Sequence, residues 1–229
     1  VQDGDASVTA IHYVNNAMTV GGGGNTFALQ VGDVILSTEQ SETLTGTNGN
    51  LSVTSDDAFV FRPTTAGDYS AGAFYFLLDG SQMSGISSLA SLSLVEQDTT
   101  VGDSLLTAGT FLMSEGGSLF DLRHFTATGV GAGTATQGTV SELIDGSDVN
   151  ISSFIHGVEL IEQATTIGDT TLAAGSILLT HSADDSTVGD NSIDVEQQDI
   201  YYLTVTKTEW DQATSVATAT LLFDGSDVG

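Results

Sequence analysis

No cysteine occurs in the chain and only one proline. The first absence excludes disulfides, thiolate catalysis and cysteine-based zinc sites. It suits an exported bacterial protein that crosses membranes unfolded, and equally a cytosolic one. Cations are almost as scarce: Arg62, Arg123 and Lys207 face 30 Asp and Glu residues, for a formal net charge of -27 over 229 residues. Binding nucleic acid or an anionic membrane face takes clustered Lys and Arg that neutralise phosphate, so both are excluded as partners. Divalent cations are the natural counterions. Such acidity fits either a high-salt setting or a calcium-rich extracellular one.

Long apolar runs are missing too. "AGAFYFLL" at 71–78 and "SILLT" at 176–180 fall well short of the roughly 20 residues that span a bilayer, so no membrane insertion is expected. Sustained helical stripes are absent, and 27 glycines with abundant Ser and Thr disfavour helix. The chain opens on Val without a basic-then-apolar leader, which predicts a processed product or a fragment.

What is present is repetition. Three segments align, starting at Ser7, Gly85 and Asn150. The last two share "VEQ" or "IEQ", then "TTVGD" or "TTIGD", then "AGTFLMS" or "AGSILLT". The first is more diverged, with Gly24-Asn25 set against Gly102-Asp103 and Gly168-Asp169. Asp-Gly pairs at Asp3, Asp79, Asp145 and Asp224 set a unit of roughly 75 residues. The expected division is repeat 1 at 1–78, repeat 2 at 79–144 and repeat 3 at 145–223, with 224–229 opening a further repeat or a terminal strand. "DGSDVG" at the end echoes "DGSDVN" in mid-chain, which predicts that the array continues.

Within a unit the period is that of strands. "SLASLSLVE" at 88–96 alternates Ser with Leu, as a half-buried strand does. Four strands per unit are expected, in the second copy near 88–96, 105–114, 118–128 and 137–144, or about twelve in all. Pro63 should mark a strand end or edge. The fold class is therefore all-β, three tandem repeats of about four antiparallel strands each, arranged as propeller blades, a β-prism or stacked sandwiches. Three blades are too few to close a propeller without more copies or a partner chain.

Candidate chemistry lies in acidic turns. Asp145 with Asp148, Asp224 with Asp227, and Asp3 with Asp5 each place carboxylates around a glycine, and calcium takes oxygen ligands of this kind. The simpler reading is a structural turn, since both Asp and Gly tolerate positive φ. "HSADDSTVGDNSID" at 181–194 is the densest acidic loop, with Asp184, Asp185, Asp190 and Asp194, but it lacks EF-hand spacing. "GGGGNTFAL" at 21–29 approaches the calcium nonapeptide yet has Thr26 where the chelating Asp belongs. His12 and His156 fall 13 residues before their Gly turns, with Ala90 in the second copy; a strand histidine bonded within its sheet is the simpler reading. Tyr13, Tyr75, Tyr201, Tyr202 and Trp210 offer a sugar-stacking platform or, more simply, packing. No nucleophile elbow or His-Glu-x-x-His motif occurs.

"LFDGSDVG" after a Thr-rich strand, with the acidity and lack of cysteine, resembles repeat regions of large exported bacterial surface proteins, the RTX-type and cadherin-like giant adhesins. The resemblance implies all-β modules, calcium-stiffened linkers and roles in attachment, biofilm or surface layers. The expectation is a non-enzymatic extracellular structural or adhesive module, a subunit of a surface array or filament, whose partners are neighbouring repeats or other copies of itself. A glycan-binding lectin-like body is the alternative. A hydrolytic propeller is the second, to be told apart by acidic side chains of different copies converging in one pocket.

Overall fold

A computed structural model describes residues 6–116, 120–209 and 214–228. Among them are no α-helix, four short 3-10 turns and twenty-two strands. In chain order these are β1 (Val8–Tyr13), β2 (Met18–Gly22), β3 (Asn25–Leu29), β4 (Val34–Thr38), β5 (Glu42–Gly46), β6 (Gly49–Val53), β7 (Ala58–Thr65) and β8 (Asp68–Leu78). Then come β9 (Leu89–Leu94), β10 (Thr99–Val101), β11 (Ser104–Leu106), β12 (Thr110–Glu115), β13 (Leu122–Gly129) and β14 (Gln137–Ile144). The last are β15 (Ile155–Leu160), β16 (Thr165–Ile167), β17 (Thr170–Leu172), β18 (Ile177–His181), β19 (Asp185–Val188), β20 (Ile193–Val195), β21 (Ile200–Lys207) and β22 (Val216–Phe223).

Twelve strands form three antiparallel sheets of four, ordered β1-β4-β7-β8, β9-β12-β13-β14 and β15-β18-β21-β22. The other ten pair as two-stranded hairpins, β2-β3, β5-β6, β10-β11, β16-β17 and β19-β20. The expectation of about twelve strands is corrected by these hairpins. The single strand expected at 105–114 is two, broken where Gly109 takes φ +93, a region open to glycine and closed to most side chains. The hairpin turns start on Gly23, Gly102 and Gly168, all with φ near +58, so Gly23-Gly24, not Gly24-Asn25, is the counterpart of Gly102-Asp103.

The sheets pack face to face and share their cores. Leu92, Leu94, Phe111, Met113 and Phe125 of the second sheet join Ala10, Ile35 and Val60 of the first. Its opposite face, with Leu112 and Leu122, joins Ile177, Leu179, Tyr201 and Leu203 of the third. Side chains alternate across a strand, so a sheet lying between two others must be apolar or small on both faces. Ser91 and Ser93 are accordingly buried, which corrects the half-buried reading of "SLASLSLVE". Their hydroxyls are satisfied there: Ser91 Oγ lies 2.7 Å from Ser114 Oγ, which donates to Ile155 O at 2.7 Å, and Ser93 Oγ donates to Glu159 Oε2 at 3.1 Å.

β9 lies against β1 and β4, and β15 against β9 and β12, so the first strands of the sheets gather together. The hairpin β2-β3 rests on β13 of the next sheet, and β10 on β21 of the one after. Pro63 sits in β7 beyond its last partner on β4, paired only with Gly72 of β8, so its missing N–H leaves no ladder bond unmade.

Candidate functional site

Where the first strands meet, one side chain from the first sheet is surrounded by acids from the other two. His12 Nε2 lies 3.2 Å from Glu96 Oε1, and His12 Nδ1 lies 3.5 Å from Glu159 Oε2. His12, Glu96, Glu159 and Glu162 line one cavity of about 360 Å³. Burial alone would strip the proton from His12, but Glu159 and Glu96 outweigh it and raise its pKa to about 9. The two carboxylates thus favour the imidazolium at neutral pH, with Nε2 donating to Glu96, while Nδ1, 3.5 Å from Glu159, also lies 3.3 Å from the Leu94 N–H.

The glutamates do something more regular. Glu96 Oε1 accepts the N–H of Asn15 at 2.7 Å and Oε2 that of Asn16 at 2.6 Å. Glu162 repeats this one sheet on, Oε1 accepting the N–H of Glu96 at 2.5 Å and Oε2 that of Gln97 at 3.0 Å. Glu96 is buried yet held below the ordinary glutamate range by His12 and these N–H donors, whereas burial pushes Glu162 up. Pairs of acids whose pKa values are driven apart are a pattern of hydrolytic sites. Here, however, both oxygens of each of these two carboxylates are spent on backbone amides, which leaves Glu159 as the acid with an uncommitted oxygen.

The Asp-Gly turns are built alike. Asp79, Asp145 and Asp224 each accept from the N–H and hydroxyl of the serine two residues on (Ser81, Ser147, Ser226), capping a 3-10 turn. The N–H of Gly80, Gly146 and Gly225 donates to Asp57, Asp121 and Asp199 at 3.1, 3.1 and 2.9 Å. The glycine is required by close approach: a Cβ would meet Asp56 O, Phe120 O or Gln198 O at 2.1, 2.2 or 2.3 Å. Positive φ, the reason expected from the sequence, is not found at these glycines.

At the second turn this arrangement places Asp121, Glu142 and Asp145 with carboxylate oxygens within 4.8 Å of one another. Burial and the neighbouring Asp145 push Asp121 up, although the Gly146 N–H opposes them; burial, Asp121 and Asp145 push Glu142 up. Three carboxylate oxygens so close together suit a hard cation such as calcium or magnesium in donor type.

Of the acids singled out in the sequence, Asp145 belongs to this cluster. Asp148 is committed to the Ser215 N–H at 2.8 Å, and Asp224 to its own turn. Asp227 follows in that turn, exposed. Asp184 accepts from Gln197 N, Asp185 points into the core, and Asp190 and Asp194 are exposed. Asp3, Asp5 and Trp210 lie outside the described residues. His12 and His156 do not match in place. The N–H of Val14 and Ile161 bond Asp33 O and Ser176 O alike, which sets His12 against Glu159. Of the tyrosines, Tyr201 is buried with its hydroxyl on His181, Tyr75 packs on Phe27 and Arg62, Tyr13 is exposed and Tyr202 half-buried.

The sequence reading missed Glu96, Glu162, Asp121 and Glu142. For the first two the signal was in plain view, as the repeated "VEQ" and "IEQ". Compared with family models, curated proteins and solved structures, the chain gives no significant match.

Proposed function

We propose that this chain is a non-enzymatic structural or adhesive module of an exported protein, in which three copies of one four-stranded unit succeed each other like propeller blades, first strands innermost. The observation behind this reading is the carboxylate relay: the Glu of one unit holds the turn amides of the unit before it, once from Glu96 and again from Glu162. A bond that recurs between units, and not within them, serves to fix one unit against the next. Repeat proteins of this kind draw stability from nearest-neighbour interfaces and use the resulting surface for attachment. Calcium at Asp121, Glu142 and Asp145 would stiffen the junction between the second and third units.

Unfolding followed by two signals tests the reading. Trp210, the only tryptophan, falls in the sequence of the third unit, so a change in its fluorescence on unfolding is assigned to that segment while far-UV circular dichroism reports on all strands. Coincident transitions in the native chain, separated in Glu162→Ala, are expected; separate transitions in the native chain would contradict a coupled stack.

The convergence of Glu96, Glu159 and Glu162 on one cavity favours a second, hydrolytic reading. It would have to work through Glu159, and turnover of a glycoside or peptide panel that is lost in Glu159→Gln would establish it.

A further inference from the structure

Matching positions in the three sheets have unequal cover. Val34, Phe111 and Ile177 each follow a positive-φ glycine (Gly32, Gly109, Gly175) by two residues and pair with Phe61, Phe125 and Leu203. On the same face, Leu92 and Leu94 of the second sheet are 2% and 1% exposed beneath the first sheet. Their counterparts in the first sheet, Ile11 and Tyr13, are 66% and 46% exposed. The hairpin β5-β6 covers Phe59, Phe61 and Phe74 farther along that face, and beside it remains an open groove of about 450 Å³ lined by Ile11, Tyr13, Val34, Leu36, Phe61 and Tyr69 among others.

The other end of the row has the complementary defect. Val101, at the tip of β10, is fully buried against the third sheet, whereas Ile167, at the same place in β16, is 48% exposed. The third unit thus carries an apolar knob without a groove, and the first a groove without a knob. Both are the outer halves of an interface the chain already makes twice.

Building on the stacked-module reading, we propose that the occupant of each is a second copy of this chain: the β16-β17 hairpin and outer face of the third sheet dock on the groove of the partner's first sheet. Continuity with the two internal interfaces carries the inference. Ile11 and Leu178, on the facing outer sides, border one cavity of about 240 Å³, so the row curls and a closed pair of chains is the expected product. The joint is weaker than the internal ones for two reasons. Asn15 stands where Glu96 and Glu162 stand and brings an amide oxygen instead of a carboxylate. Each copy also carries a net charge of -27, so association strengthens as salt screens the repulsion.

Sedimentation of the full chain across concentration, at low and high sodium chloride, tests this. The expected result is a species of about twice the 23.5 kDa chain that grows with concentration and salt. Ile167→Asp and Ile11→Asp should each weaken it at least tenfold, while Leu105→Asp, at a 52% exposed position on the covered hairpin β10-β11, leaves it unchanged. Circular dichroism checks that each variant is folded. Monomers under every condition, or association indifferent to Ile167 and Ile11, would overturn the joint. Coincident unfolding signals in a chain that stays monomeric would leave the stacked module standing, so the two failures are distinguishable.

Discussion

Glu162 accepts the backbone N–H of Glu96 at 2.5 Å, and Glu96 in turn accepts that of Asn15 at 2.7 Å. Removing either carboxylate strips two turn amides of their acceptors, and Glu96 also neutralises His12. A hydrogen bond to a charged group contributes about 1.5–3 kcal/mol, but the amides of Asn15 and Asn16 are near water and recover part of it. Glu96→Ala should therefore destabilise by about 2–3 kcal/mol and Glu162→Ala by about 1–2 kcal/mol, read as shifts in the urea midpoint. Glu96→Gln, which keeps an acceptor but not the charge, should fall between native and Glu96→Ala.

His12 gives the chain a falling alkaline limb. Its folded pKa of about 9 lies above the unfolded value of 6.5, so its contribution is complete below pH 6.5 and lost as pH rises through 9. Stability should drop by about 2 kcal/mol between pH 6.5 and 10, after allowance for the half-exposed Glu159. His12→Gln should flatten that limb. His124 acts with the opposite sign: burial holds it neutral, down to about 4, so its contribution is present above pH 6.5 and lost as pH falls toward 4. The contributions of these two histidines alone lower the melting temperature on either side of about pH 6.5.

Asp121, Glu142 and Asp145 make the sharpest test of calcium. The raised pKa values of Asp121 and Glu142 mean that their ionised forms weigh against the fold at neutral pH, and a bound cation relieves this by mass action. Millimolar calcium should raise the melting temperature by several degrees. Asp121→Asn keeps an oxygen for the Gly146 N–H while removing a charge. It should stabilise the calcium-free chain and abolish the calcium response.

The Asp-Gly turns separate two reasons for glycine. At Gly146 an added methyl would lie 2.2 Å from Phe120 O, a backbone atom that cannot swing away. At Gly168, with φ +58, the same methyl meets nothing within 4 Å and carries only the left-handed strain. Gly146→Ala should cost at least about 3 kcal/mol and Gly168→Ala about 1 kcal/mol, measured by chemical denaturation.

These turns also show what the sequence made legible. "DGS" was readable as a turn because its signal is local. The reason for its glycine was not, since Phe120 reaches Gly146 only when the sheet is assembled. Periodicity found the long strands but passed over β10 and β11, whose three residues each are too short to display a period. Ser91 and Ser93 read as solvated because alternation cannot tell a sheet facing water from one facing a second sheet across hydroxyls. Glu96 and Asn15 are some eighty residues apart, and no local pattern ties a carboxylate to amides at that distance. Recurrence was the one signal that could have done so.

A last relationship lies around the sheet β15-β18-β21-β22. Tyr201 Oη is 2.5 Å from His181 Nε2, and His181 Nδ1 is 2.9 Å from Asp185 Oδ2, all three residues being buried. Burial depresses the His181 pKa although Asp185 opposes it, so the ring is neutral and its Nε2 accepts the tyrosine proton. Burial would push Asp185 up, yet the hydroxyls of Ser152 and Ser153 hold it below the ordinary range. The hydroxyls of Ser152 and Ser153 donate to this buried carboxylate and Tyr201 donates to the ring beside it, His181 Nδ1 itself making no hydrogen bond, and together they anchor β18, β19 and β21 to the loop before β15. Tyr201→Phe removes the hydrogen bond to Nε2 and should cost about 1–2 kcal/mol, whereas Asp185→Ala takes the carboxylate acceptor from two serine hydroxyls and the charge from beside the ring and should cost about 3–5 kcal/mol. A double-mutant cycle of the two, read by urea unfolding, should show coupling above about 0.5 kcal/mol if they belong to one network, and simple additivity would show that they do not.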